Sequence, residues 1–171
     1  KLAGEFYVRQ FAALYGFETV ALRYFNIYGP RQEPNSQYAS VVPAFFAALM
    51  AGRRPTIYGD GGASREFTFV ADCVQANLLA GLSDNPQIVG QYFNIAVGAP
   101  ITVNDLFGAI KRTLNSPLDP SYGPERAGDV RYSSADTTKA TTLLGFRPKV
   151  ALQDGNDRTA EWFTEWMKVQ R

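Results

Sequence analysis

The chain opens with apolar residues at helical spacing. Leu2, Phe6, Ala13 and Phe17 form one stripe, and Ala3, Tyr7, Phe11 and Leu14 form a second beside it. The spacing predicts a helix over 1–15, and two adjacent stripes imply cover on more than one side. Gly16 supplies a stop. "ETVALRYFNIY" is then near-continuously apolar, the pattern of a strand buried on both faces of a parallel sheet. "GPRQEPNSQ" reads as a polar loop. Ser40 is placed to cap a helix "VVPAFFAALMAG" that Gly52 ends, with Pro43 tolerable in its first turn. "PTIYGDGGASREFTFV" reads as two short strands around an Asp-Gly-Gly turn. Asp72 is placed to cap "CVQANLLAGL", and "QYFNIAV" is a second apolar strand. Thr102 and Asp105 in "TVND" have capping-box spacing ahead of "LFGAIKRTL". The Pro-, Gly- and charge-rich "NSPLDPSYGPERAGDVRYS" predicts a long loop holding one short strand. Asp136 heads "TTKATTLL", which Gly145 closes. A last helix runs from Gln153 to Val169, with Trp162, Phe163, Trp166 and Met167 on its apolar side.

Helices and strands alternate, which predicts α/β architecture. Residues 18–27 and 91–97 look central to a sheet, yet an independent sheet needs three or more strands. No Ser, Thr, Asp or Asn precedes Lys1 to cap the first helix. Both observations lead to the expectation that the fold extends beyond Lys1.

Composition narrows the chemistry. With 46% hydrophobic and 13% aromatic residues the chain can build a core. Its net charge of +1 argues against a general binder of nucleic acid or of a membrane surface. There is one cysteine, Cys73, and no histidine, so a Ser–His–Asp triad, a Cys–His pair and an ordinary zinc site are excluded. A lone cysteine fits a reducing compartment, and no apolar run reaches the length of a membrane span. The expectation is a cytoplasmic protein without a metal.

Three stretches could carry a ligand. In "RYFNIYGPRQ", Asn26 ends a buried strand, and ligands of open α/β sheets sit beyond such ends. Equally, Asn26 could satisfy local backbone groups. "GDGG" has neither phosphate-binding glycine spacing and reads as a tight turn, but Arg65 beyond it suits a diphosphate as well as a surface ion pair. In "ERAGDVRYS", Arg126 and Asp129 flank a glycine and could serve phosphate and sugar hydroxyls, or simply be solvated.

Taken in order, "KLAGE", "ALRYFNIYGPRQ", "YGDGGASREFTFV", "FNIAVG" and "AGDVRYSSADTTKATTLLGF" resemble the extended short-chain dehydrogenase/reductases. The most similar group is the UDP-sugar 4-epimerases acting on UDP-glucose or UDP-N-acetylglucosamine. The resemblance implies the C-terminal part of a Rossmann-type fold plus a small α/β substrate-binding lobe. Residues 1–30 and 66–98 would belong to the dinucleotide-binding domain, and 31–65 and 99–171 to the nucleotide-sugar lobe. Lys1 would be the lysine of a Tyr-x-x-x-Lys pair, which lowers the tyrosine pKa and holds the nicotinamide ribose of NAD; its tyrosine would lie four positions earlier. Phe25 and Tyr28 would line the cofactor and sugar side of the cleft. Asn26 and Arg65 would contact the diphosphate, although Glu66 stands where that stretch usually has Asp. Arg126 and Asp129 would hold diphosphate and uridine ribose, Thr56 and Tyr58 the uracil, and Ser40 the diphosphate. Ser133 would face the sugar, and a small residue there leaves room for an N-acetyl group. Asn156 stands where the family's final helix has an apolar residue.

The implied reaction is inversion at C4 of a UDP-sugar through transient oxidation by NAD. Most UDP-sugar contacts lie within these residues, and the NAD fingerprint does not. The expectation is therefore an inactive fragment that self-associates, as a homodimer or otherwise, through bare apolar faces. A stand-alone UDP-sugar-binding module and a nucleotide-sugar dehydratase or decarboxylase of the same superfamily are the alternatives.

Overall fold

The computed structural model of the chain describes residues 1–33 and 40–169. Helix α1 (Leu2–Tyr15) ends at Gly16, whose left-handed φ of 69° lets its amide return to Ala12. β1 (Val20–Tyr24) follows, and the chain breaks at Asn26, a non-glycine residue at φ 40°. Beyond it, β2 (Ile27–Tyr28) takes a different partner. The single apolar run read from the sequence is therefore two strands. Part of the polar loop before Ser40 lies outside the described residues.

Next come α2 (Val41–Met50), β3 (Thr56–Tyr58), β4 (Ser64–Arg65), β5 (Thr68–Phe69) and α3 (Val70–Gly81). β6 (Gln91–Ile95), β7 (Ile101–Thr102), α4 (Val103–Thr113), β8 (Ser121–Gly123) and α5 (Leu152–Val169) complete the order. A helical turn from Ala140 to Leu144 winds as a π-helix and closes at Gly145. β1 pairs with β6, β2 with β5 and β3 with β8, all parallel; β4 pairs antiparallel with β7. The Asp-Gly-Gly stretch is therefore not a hairpin. Its flanking strands separate, each to a partner far along the chain, because that turn redirects the backbone instead of folding it back.

Capping follows chemistry in some places and not in others. Thr102 and Asp105 form the full capping box of α4. Asp136 accepts from the Thr138 amide. Ser40 stands at the start of α2, but its hydroxyl accepts from Gln32 and leaves the helix amides alone. Asp72 caps nothing. It is buried inside the first turn of α3, and its two oxygens accept from the Lys149 and Val150 amides.

Two apolar clusters result. The larger joins α2, α4 and α5 over Tyr28, Phe46, Ile57, Phe69, Phe107 and Phe163, with Phe46 and Phe163 stacked at 5.6 Å. The smaller packs Ala76, Ile88, Phe93, Ile95, Leu144 and Phe146 under α3 and β6. Against the expectation of double cover, no residue of α1 is buried among the described residues. Among the described residues no helix is long and apolar enough to cross a membrane.

Candidate functional site

The polar loops converge beyond β3. There the backbone turns through Gly59–Gly62, with Asp60 accepting from the Gly62 amide at 2.8 Å. Asn104, in the first turn of α4, donates its side-chain amide to the Asp60 carbonyl and its backbone amide to Gly61. Gly61 has φ 71°, and a Cβ there would overlap the Asn104 side chain, so only glycine fits. The turn is thereby fixed to a capped helix.

A second segment comes alongside. Ser64 donates its amide to the Arg131 carbonyl, and Ser133 donates its own to Ser64. This brings the stretch after Gly128 next to β4. A cavity of about 150 Å³ opens between the two segments, lined by Tyr58, Gly59, Asp60, Glu125, Arg126 and Asp129 among others. The Arg126 guanidinium lies over the Tyr58 ring, 3.7 Å from its centroid. Arg65 donates to Asp129 at 2.6 Å and to the Ser64 carbonyl at 2.8 Å. Asp60 receives both Arg131 donors, at 2.9 and 2.7 Å. That pairing, helped by the Gly62 amide, holds the Asp60 carboxyl below its ordinary range. The site thus offers guanidinium groups, carboxylates and one aromatic face around a small opening, a set suited to a phosphorylated polyhydroxyl ligand.

Of the residues singled out in the sequence, Tyr58, Arg65, Arg126 and Asp129 meet here. Ser133 is joined to them through Ser64, and Thr56 is exposed on β3, its hydroxyl 3.1 Å from that of Ser121. Asn26 is next door but occupied: its side-chain amide donates to the Glu66 carbonyl. Phe25 is half-buried at the end of β1, and Lys1 is exposed at the start of α1. Two placements differ from expectation. Ser40 is turned toward Gln32. Tyr28 does not line a cleft; it is 2% exposed, packs edge-on to Phe69 and donates its hydroxyl to the Leu152 carbonyl. A large ring immediately before a Gly-Pro turn finds the core closer than the surface.

Sequence reasoning passed over Asp60 and Arg131, and noted Glu66 only as a departure from Asp. An aspartate before Gly-Gly is a turn-capping signal and was available. The Arg131 pairing joins distant positions and had no local signature. Glu66 is fully buried and accepts from the Gly98 and Ala135 amides, tying the end of β6 to the segment beyond the site.

Residues 1–96 match the model of the NAD dependent epimerase/dehydratase family. The chain belongs to this family. Among its relatives, the UDP-glucose 4-epimerase of Mycolicibacterium smegmatis is 40% identical over 95% of this chain and 51% of its own length. Two solved structures are similar at TM-score 0.91. One is the UDP-N-acetylglucosamine 4-epimerase from Methanobrevibacter ruminantium in complex with UDP-N-acetylmuramic acid, 39% identical over 97% of this chain and 52% of that one. The other is the UDP-glucose 4-epimerase from Thermotoga maritima with UDP-glucose, 41% identical over 98% and 52%. This chain therefore spans about half the length of the epimerases it matches. Membership accounts for the parallel pairing of β1 with β6, since the family is an α/β fold built on parallel strands.

Proposed function

We propose that these residues form the sugar-nucleotide-binding part of a UDP-sugar 4-epimerase of the UDP-glucose or UDP-N-acetylglucosamine type. The observation that carries this is the cavity lined by Arg126, Asp129 and Tyr58, with Arg65 bonded to its Asp129. In this reading Arg65 and Arg126 take the diphosphate and Asp129 the ribose hydroxyls. The backbone of Thr56 and Tyr58 faces the uracil, with Asn26 on the phosphate side. Ser133 leaves space for a 2-acetamido group. Residues 31–65 and 99–171 make up the binding lobe, and 1–30 and 66–98 the part that continues a dinucleotide-binding sheet.

The family uses NAD, and the residues here fit that cofactor only at one edge. Lys1 and Phe25 are accessible to it, Tyr28 is enclosed in the core, and the 171 residues contain no Tyr-x-x-x-Lys pair or G-x-x-G-x-x-G turn. We therefore derive no redox step for this chain and expect no epimerisation from it alone. The exposed faces of α1 are its route to self-association, since Leu2, Phe6, Tyr7 and Leu14 are all more than half exposed.

Titration calorimetry with UDP and with uridine tests the assignment. UDP should bind the chain about 10- to 100-fold more tightly, the worth of one or two charge-assisted hydrogen bonds, and Arg65→Ala should erase most of the difference. Equal affinity for both ligands would overturn it.

A further inference from the structure

The direction of Arg65 is not set by its own strand alone. One guanidinium nitrogen donates to the Ser64 carbonyl at 2.8 Å and reaches the Arg131 carbonyl at 3.4 Å. Another donates to Asp129 at 2.6 Å, so where Arg65 points depends on where the 129–133 segment lies. Packing does not hold that segment: Val130 is 58% and Tyr132 73% exposed. Backbone bonds tie it to Ser64 on one side. On the other, the Arg131 side chain grips Asp60 through two parallel N–H···O bonds. Asp60 in turn is fixed by Asn104 on α4 and by the glycine turn that admits no Cβ. A continuous path thus runs from a capped helix through Asn104, Asp60 and Arg131 to the Arg65 guanidinium.

We propose that Asp60 and Arg131 form a positioning latch that holds Arg65 beside the cavity, against its Asp129, and so sets the affinity for the diphosphate of the ligand. The inference rests on the reading of the cavity as a nucleotide-sugar site. An exposed ion pair contributes little to stability, even with good geometry. Here its effect is on geometry, in the way that groups behind a binding residue fix its aim. Glu125, whose carboxylate is 3.8 Å from Arg131, is too distant to replace Asp60 as the bidentate partner.

The test uses the whole chain and the variants Asp60→Asn, Arg131→Gln and their combination. UDP and uridine are titrated into each, thermal unfolding is recorded, and amide exchange is followed at Ser64 and Ser133. Each single variant should bind UDP about 5- to 20-fold more weakly, roughly one charge-assisted bond, with uridine affinity and unfolding temperature unchanged. The double variant should be no weaker than either single one, because both break one device. Exchange at both amides should quicken in all three. Undiminished UDP affinity, an equal loss for uridine, additive losses or unchanged amide exchange would each overturn the latch. If the unaltered chain binds UDP no better than uridine, the reading of the cavity falls and takes the latch's role in binding with it. If the unaltered chain prefers UDP and the variants keep that preference undiminished, the latch falls alone.

Discussion

Phe163 and Phe11 are both aromatic residues on helices, and they occupy opposite kinds of surroundings. Phe163 on α5 is fully buried, stacked on Phe46 and met edge-on by Trp162. Phe11 on α1 is 44% exposed and, among the described residues, has only Tyr15 and Phe17 for ring contacts. The contrast extends to whole regions. Helices α2, α4 and α5 close a core around Phe46, Leu106 and Ile110, each at 0% exposure. Around the β1–β6 pair, α1 has no buried residue among those described, and α3 leaves Val74 and Leu78 more than half exposed. The region that carries the cavity is thus packed by residues of this chain, whereas the sheet side presents apolar faces outward. A packed frame for the cavity and cover for the sheet side are separable demands on the same sequence.

That separation can be broken deliberately. The largest expected effect is at Phe163. Replacing it with Ala should cost about 3–5 kcal/mol in urea unfolding, the usual range for deleting a buried aromatic ring. Phe11→Asp should change stability by less than about 1 kcal/mol and instead shift light scattering toward the monomer. Equal stability losses at both sites would remove the distinction between the two regions.

Next in size is Glu66, which ties them together. Glu66→Ala leaves the Gly98 and Ala135 amides without their acceptor, at an expected cost of about 2–4 kcal/mol. Hydrogen exchange should speed up first at those two amides. If exchange rises evenly over the chain instead, the seam is not where the regions join.

The smallest effect has the opposite sign. Asn156 is fully buried in α5, and neither its side-chain oxygen nor its nitrogen has a partner among the described residues. Asn156→Leu keeps the same branched skeleton of heavy atoms and should stabilise the chain by about 1–2 kcal/mol, read as a higher denaturation midpoint. A loss would show that the amide is satisfied in solution.

Legibility from sequence followed the range of the interaction. The left-handed stops at Gly16 and Gly145, the Thr102–Asp105 box and the strand at Gln91–Ile95 are local devices, and each was read correctly. Strand partners were not legible. β2 and β5 meet across the whole of α2, and the Asp-Gly-Gly turn imitates a hairpin signal while sending its two flanks apart. At the site, type and spacing left Arg65, Arg126 and Asp129 open between ligand binding and solvated charge, the resemblance alone gave them roles, and their convergence appears only once β4 and the 131–133 segment lie side by side. Asp72 shows the limit of capping rules. It has the composition of a cap, yet backbone amides at Lys149 and Val150 claim it. Asn156 departs from the apolar pattern of its helix and is buried regardless.

The interleaving of the two regions has a consequence for synthesis. A ribosome releases α2 long before either of its partners. Phe45 must wait for Phe107 on α4, and Phe46 for Phe163 on α5. β1 likewise emerges before β6, the strand it pairs with. The nascent chain therefore carries an apolar helix without these ring partners until α4 and α5 have emerged, and contacts so distant along the chain form slowly. During that interval Phe45 and Phe46 are open to wrong partners, the kind of surface that chaperones cover.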